Sequence, residues 1–125
     1  MSKRKRNPFA DAFNGMLAAY RTERNLRVHA ALAVVAIALG GWLGLDRWEW
    51  CWIALCITLV VMAELVNTAI ETCVDLVSPT EHPLAKKAKD AAAGAVLVTA
   101  FFAVMVGGII FLPKLWLIIV ASHAA

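Results

Sequence analysis

The sequence predicts an all-α membrane protein: an N-terminal amphipathic surface helix followed by three transmembrane helices. Three observations carry this. The 125 residues are 62% hydrophobic, more than a soluble domain of this length can bury. Two stretches without a charge, Val28 to Leu45 and Ala91 to Leu112, are long enough to cross a bilayer. A third stretch, Trp50 to Val77, is long enough but carries acids. The whole chain, 1–125, reads as one domain, with a surface helix over about 7–26 and spans over 28–45, 50–77 and 90–112.

The surface helix comes from Phe9, Phe13, Met16, Leu17 and Tyr20, which recur at steps of three and four while Asp11, Asn14 and Arg21 point elsewhere. Such a helix lies in the membrane interface with its aromatic face in lipid, or packs on its own bundle. The run from Val28 is too long for a signal-peptide core and is read as a permanent span. It ends in "GGWLGLD", and Trp42, Trp48, Trp50 and Trp52 cluster around the following turn as interfacial anchors. "SPTEHPLAKKAKD" breaks the apolar pattern with two prolines. The third span opens with "AAAGAV", small residues that permit close helix contact. Pro113 and Lys114 interrupt its end, and the pattern leaves open whether "LWLIIVASHAA" continues the helix or lies in the interface.

Charge placement sets the expected topology. Lys3, Arg4, Lys5, Arg6, Arg21, Arg24, Arg27, Lys86, Lys87 and Lys89 fall on one side, against Arg47 and Lys114 on the other. The positive-inside rule then puts the N-terminus and the second loop in the cytoplasm. Beside a span, "KRKR" faces anionic lipid, and no nucleic-acid partner is expected. Cys51, Cys56 and Cys73 have no C-x-x-C spacing and read as reduced packing residues.

The unusual feature is "ELVNTAIETCVD". At about 100° per residue, Glu64, Asn67, Glu71 and Asp75 fall within an arc of roughly 80°, on one helix face about 16 Å long. Twelve Leu, Ile or Val between residues 50 and 77 favour insertion by roughly 4–7 kcal/mol, and three central acids oppose it by roughly 7–10. The polar face must therefore meet a helix, water or bound ions. Structural glue between helices is one use, but one Asn or Ser does that at lower cost. Three hard carboxylates near a membrane surface suit Mg²⁺ shared with nucleotide phosphates. Lys89, followed by Asp90 at the head of the third span, supplies a point charge for phosphate opposite Asp75. Glu23 lies at the same surface and reads as a solvated acid paired with Arg27 four residues on. No phosphate-binding Gly-rich loop is present, and His29, His82 and His123 are too scattered for zinc. An ion or proton pathway, or a non-catalytic membrane assembly, is the alternative use of buried acids.

"ELVNTAIETCVD" followed by "HPLAKKAKDAAAGAV" resembles the prokaryotic integral-membrane diacylglycerol kinase family, which includes the undecaprenol kinases, over about residues 9 to 112. "FADAFNG" and "TERNLRVH" look more like the undecaprenol kinase branch. The resemblance implies a homotrimer in the bacterial cytoplasmic membrane, with sites shared between subunits. It also implies transfer of the ATP γ-phosphate to a lipid hydroxyl, on undecaprenol or diacylglycerol. Glu64 matches the general base, and Glu23 with Glu71 the carboxylates that hold Mg²⁺ on ATP. Asn67 and Asp75 match supporting polar residues. Lys89 and Asp90 match the nucleotide-binding pair, and Glu81 with His82 the loop that approaches the nucleotide. Asp11 stands where a nucleotide-facing Tyr is expected, and the tail beyond Pro113 is longer than usual.

Overall fold

A computed structural model of the chain describes residues 7–124. It contains four helices and, among the described residues, no strand: α1 (Pro8–Thr22), α2 (Arg24–Leu43), α3 (Arg47–Val77) and α4 (Pro83–His123). The basic stretch Lys3 to Arg6, part of the expected topology signal, lies outside the described residues.

Each boundary has a local cause. The Asn7 Oδ1 accepts from the backbone N–H groups of Phe9 and Ala10, and Pro8 occupies the first turn, so α1 starts there. It ends four residues earlier than the expected surface helix. Glu23 adopts an extended backbone, and the Arg27 guanidinium donates to the carbonyls of Tyr20 and Arg21 at 3.3 and 2.8 Å. Those carbonyls are orphaned at a helix end and favour a cation.

Gly44, in the left-handed region at φ 69°, ends α2 ahead of the expected Leu45. Asp46 starts α3 through a reciprocal cap. Its Oδ1 accepts from Trp48 and Glu49 N–H, and Glu49 Oε2 accepts from the Asp46 N–H at 2.9 Å.

At the other end of the bundle, His82 and Pro83 open α4. This helix runs unbroken through Pro113 to His123, so the tail continues the third span. Proline forfeits one backbone hydrogen bond there, a loss tolerated in long apolar helices. Just past it, Lys114 Nζ meets Glu49 Oε2 at 3.1 Å and ties α4 to the head of α3.

α3 and α4 form the principal pair, and α2 packs chiefly on α3. Their shared core is Leu45, Ile53, Cys56, Val106 and Ile110, backed by Trp50 and Phe102. All of it lies toward the α2–α3 turn. Of the three cysteines only Cys56 packs inside; Cys51 and Cys73 are exposed, which corrects the packing role expected for both, and all three are free thiols.

Helices α2, α3 and α4 are each long and apolar enough to span a membrane, yet at most 28% of the most apolar window of any one is buried. Their outward surfaces are suited to hydrocarbon. On α1, Ala19 is buried, whereas Phe9 and Phe13 are 87% and 65% exposed. The aromatic face therefore points away from the bundle, as an interfacial helix requires.

Gly40 marks the closest approach at the turn, since a Cβ there would stand 2.9 Å from Trp50 Cη2 and 3.2 Å from Leu45 Cδ2. Gly41 has nothing within 4 Å. Detergent-induced unfolding in micelles should show Gly40→Ala destabilised by about 1–3 kcal/mol, with Gly41→Ala equal to the parent or better. Equal behaviour of the two variants would contradict the packing described.

Candidate active site

The stripe on α3 is graded in burial. Glu64 is 2% exposed and Asn67 9%, Glu71 is half-buried and Asp75 is exposed. A helix repeat of 3.6 residues keeps all four on one face while each turn moves outward along the bundle. Neighbouring hydroxyls are satisfied locally: Thr68 Oγ1 donates to the Glu64 carbonyl at 2.9 Å and Thr72 Oγ1 to that of Thr68 at 2.8 Å. They do not serve the carboxylates.

Two further elements bring side chains to Glu64. From α2, His29 Nε2 lies 3.3 Å from Glu64 Oε1. This is near enough for charge contact, but its alignment is not that of a hydrogen bond, and Oε1 has no hydrogen-bond partner. From the α1–α2 corner, Glu23 is close enough for its charge, like that of Glu71, to act on Glu64. The corner itself is fixed by the Glu23 N–H, which donates to the Ala19 carbonyl at 2.8 Å. Arg27, the expected partner of Glu23, is instead directed at the α1 carbonyls.

Asn67 Nδ2 donates to Glu71 Oε1 at 3.1 Å and so orients that carboxylate, while Asn67 Oδ1 is buried without a partner. Orphaned buried oxygens carry a desolvation cost of about 1–3 kcal/mol each. Two of them on successive turns of one helix face are not what packing for stability alone selects.

The remaining predicted residues gather at the end of α3. A cleft of about 710 Å³ is lined by Asp75, Glu81, His82, Lys86, Lys89 and Asp90, among others. Lys89 Nζ donates to Asp75 Oδ1, and Lys86 Nζ to Asp90 Oδ2 one turn further along its own helix. Asp90 is thus held by Lys86, which sequence reading had treated as a topology signal only. His82 faces the same cleft, but its Nδ1 accepts from the Leu84 N–H at 3.2 Å and caps α4. Glu71 links the two groups, because its charge reaches both Glu64 and Lys89.

Below Glu64 a narrow apolar groove of about 250 Å³ runs between α2, α3 and α4, with His29 at its polar end and Ala33, Ile57, Ala103 and Phe111 along it. Sequence reading missed His29, which had been set aside as one of three scattered histidines. The available signal was its place on the inner face of α2, three residues after the buried Leu26.

Among the described residues, no three His, Cys, Asp or Glu side chains are grouped to hold a metal by protein ligands alone. Mg²⁺ seldom needs such a group, because one or two carboxylates and substrate phosphates complete its shell. Glu23 and Glu71, hard oxygen donors whose charges both act on Glu64, fit that pattern.

An acidic helix face, graded from buried Glu64 to exposed Asp75, at one end of a three-span helical bundle, beside a lysine-bearing cleft and above an apolar groove, defines the class: a membrane protein with an acidic interfacial site. Residues 10–111 match the model of the family described as prokaryotic diacylglycerol kinase, and the chain belongs to that family. It is 49% identical over 107 residues to the undecaprenol kinase of Bacillus subtilis (strain 168), covering 86% of this chain and 87% of that one. Identity to a diacylglycerol kinase of Synechocystis sp. is 45% over 108 residues, 86% of this chain and 62% of the relative. The diacylglycerol kinase of Escherichia coli (strain K12) is 29% identical over 112 residues, 90% and 84% of the two chains.

The graded stripe separates a functional face from structural glue. In micelle unfolding, Asn67→Leu should leave stability unchanged or raise it by about 1 kcal/mol, because it removes an unpaired buried oxygen. A loss of about 2 kcal/mol or more would mean that Asn67 holds the helices together.

Proposed function

We propose that this protein is a membrane lipid kinase that transfers the γ-phosphate of ATP to the hydroxyl of a lipid alcohol, undecaprenol or diacylglycerol. The observation that carries the reading is the buried Glu64 carboxylate, with Oε1 unpaired, at the head of an apolar groove. A hydrocarbon chain in that groove presents its terminal hydroxyl to Glu64, and phosphate enters from the lysine-bearing cleft.

Chemistry follows from this arrangement. Glu64 takes the proton of the lipid hydroxyl as its oxygen bonds to the γ-phosphorus. The bond from that phosphorus to the bridging oxygen breaks, and ADP leaves with the electron pair. Phosphoryl transfer asks for positioning and charge neutralisation more than covalent help. Asn67 fixes Glu71, and Lys89, released from Asp75, holds phosphate, while Glu81, His82 and Asp90 of the same cleft meet other groups of the nucleotide. Glu23 and Glu71 would hold Mg²⁺, which when bound neutralises charge on the transferring group and on ADP.

The site end is assigned to the cytoplasmic face of the bacterial inner membrane, where ATP is found, in keeping with the ten-to-two distribution of basic residues. A homotrimer with shared sites accounts for the polar oxygens left unpaired within one protomer and for the outward apolar faces of the spans.

The test is transfer from radiolabelled ATP with Mg²⁺ in micelles offering undecaprenol and diacylglycerol at matched mole fraction. One lipid should be labelled, and Glu64→Gln should lower turnover by about 10²–10⁴-fold with the KM for ATP nearly unchanged. Lys89→Met should act chiefly on the KM for ATP. Labelling of neither lipid by correctly assembled protein, with proton or metal flux in liposomes, would favour the ion-pathway reading instead.

A further inference from the structure

A base buried as deeply as Glu64 raises a question that the transfer step leaves open. Once it has taken the proton of a lipid hydroxyl, it must give that proton up before the next turnover, and at 2% exposure it has little access to bulk water of its own. The side chain against it is His29, whose Nε2 is 3.3 Å from Glu64 Oε1. The two side chains differ in access, His29 being 22% exposed and Glu64 3%. The imidazole thus stands between the buried carboxylate and the accessible polar end of the groove.

Its placement is built into the fold. Leu26, 4% exposed, fixes the inner face of α2, and His29 follows on that face one turn later. Around it, α3 presents Glu64, with Glu71 further along, and the α1–α2 corner presents Glu23. The α4 residues lining the same groove, Ala100, Ala103, Val104 and Gly107, are apolar. Of these neighbours His29 is the one in charge contact with Glu64, and an imidazole takes a proton on one nitrogen and releases it from the other.

We propose that His29 is the proton exit of this site, acting through Glu64 and so as a positioning residue rather than a catalytic one. The inference rests on the reading of Glu64 as base. With the imidazole turned so that Nε2 lines up with Oε1, the proton taken by Glu64 passes to Nε2 and Nδ1 releases its own to solvent; this restores the Glu64 carboxylate and leaves the ring as its Nε2–H tautomer, which exchange with water returns to the Nδ1–H form before the next turnover. No other reactant is needed.

The experiment uses the full-length protein in micelles with ATP, Mg²⁺ and whichever lipid alcohol the parent labels. Variants His29→Ala and His29→Gln are first matched to the parent in unfolding midpoint. Both should lose about 10–100-fold in kcat, with the KM values for ATP and lipid within about twofold. Added imidazole should restore several-fold of the lost kcat in His29→Ala. Gln keeps a polar side chain but carries no proton, so parent-like kcat in His29→Gln would overturn the proposal, as would a His29→Ala loss that imidazole does not relieve. A parent that labels no lipid, or Glu64→Gln at full rate, would instead remove the underlying reading. Lost activity in Glu64→Gln with both His29 variants at full rate would remove this inference alone.

Discussion

Keeping a charge out of water is the constraint on which the rest of this molecule depends. An acid at mid-membrane costs about 2.5 kcal/mol or more, and α3 carries Glu64 at a depth where 2% of its surface is accessible. Everything around it reads as a response to that cost. The histidine from α2 stands against it, the asparagine one turn on ties down Glu71, and the last acid of the stripe emerges into an ion pair with Lys89. Even so, two oxygens are left unpaired. A face tuned only for stability would carry fewer such groups, so the unpaired oxygens accord with the proposed lipid kinase site.

The bundle divides its labour along its length. Near the α2–α3 turn it is packed: Gly40 admits Trp50, the Asp46 cap starts α3, and Glu49 serves both that cap and the ion pair to Lys114. At the opposite end apolar packing gives way to polar contacts, several of them exposed, and exposed ion pairs contribute little to stability. Tight packing and the proposed site therefore occupy different ends, as expected where a substrate must enter and leave.

Much of this was legible in the residues. Apolar runs gave the three spans because a bilayer admits little else, and the three- and four-residue spacing of Glu64, Asn67, Glu71 and Asp75 gave one face because the helix repeat is fixed. Boundaries were less legible, since they rest on single events: the left-handed Gly44, the Asp46 cap, and the Arg27 guanidinium closing α1. The unbroken α4 could not be read from Pro113, because a proline marks a lost hydrogen bond without saying whether the helix survives it. His29 escaped notice for a different reason. Its partner is 35 residues away in sequence, and only the packing of α2 on α3 makes them neighbours. The same holds for Lys114 with Glu49, whereas Lys86 and Asp90, four residues apart on one helix, lay within reach of periodicity.

The Glu49–Lys114 tie has a mechanical consequence. It holds α3 and α4 together near one end, while Asp75 and Lys89 face each other near the other, some 26 residues or about 39 Å further along α3. Residues 78–82 join the two helices at that second end, so α3 and α4 are tied by an ion pair at one end and by the chain itself at the other. A change in the tilt of one helix, of the size that bilayer thickness alone imposes, is therefore shared by its partner, and the pair behaves in the membrane as a single strut.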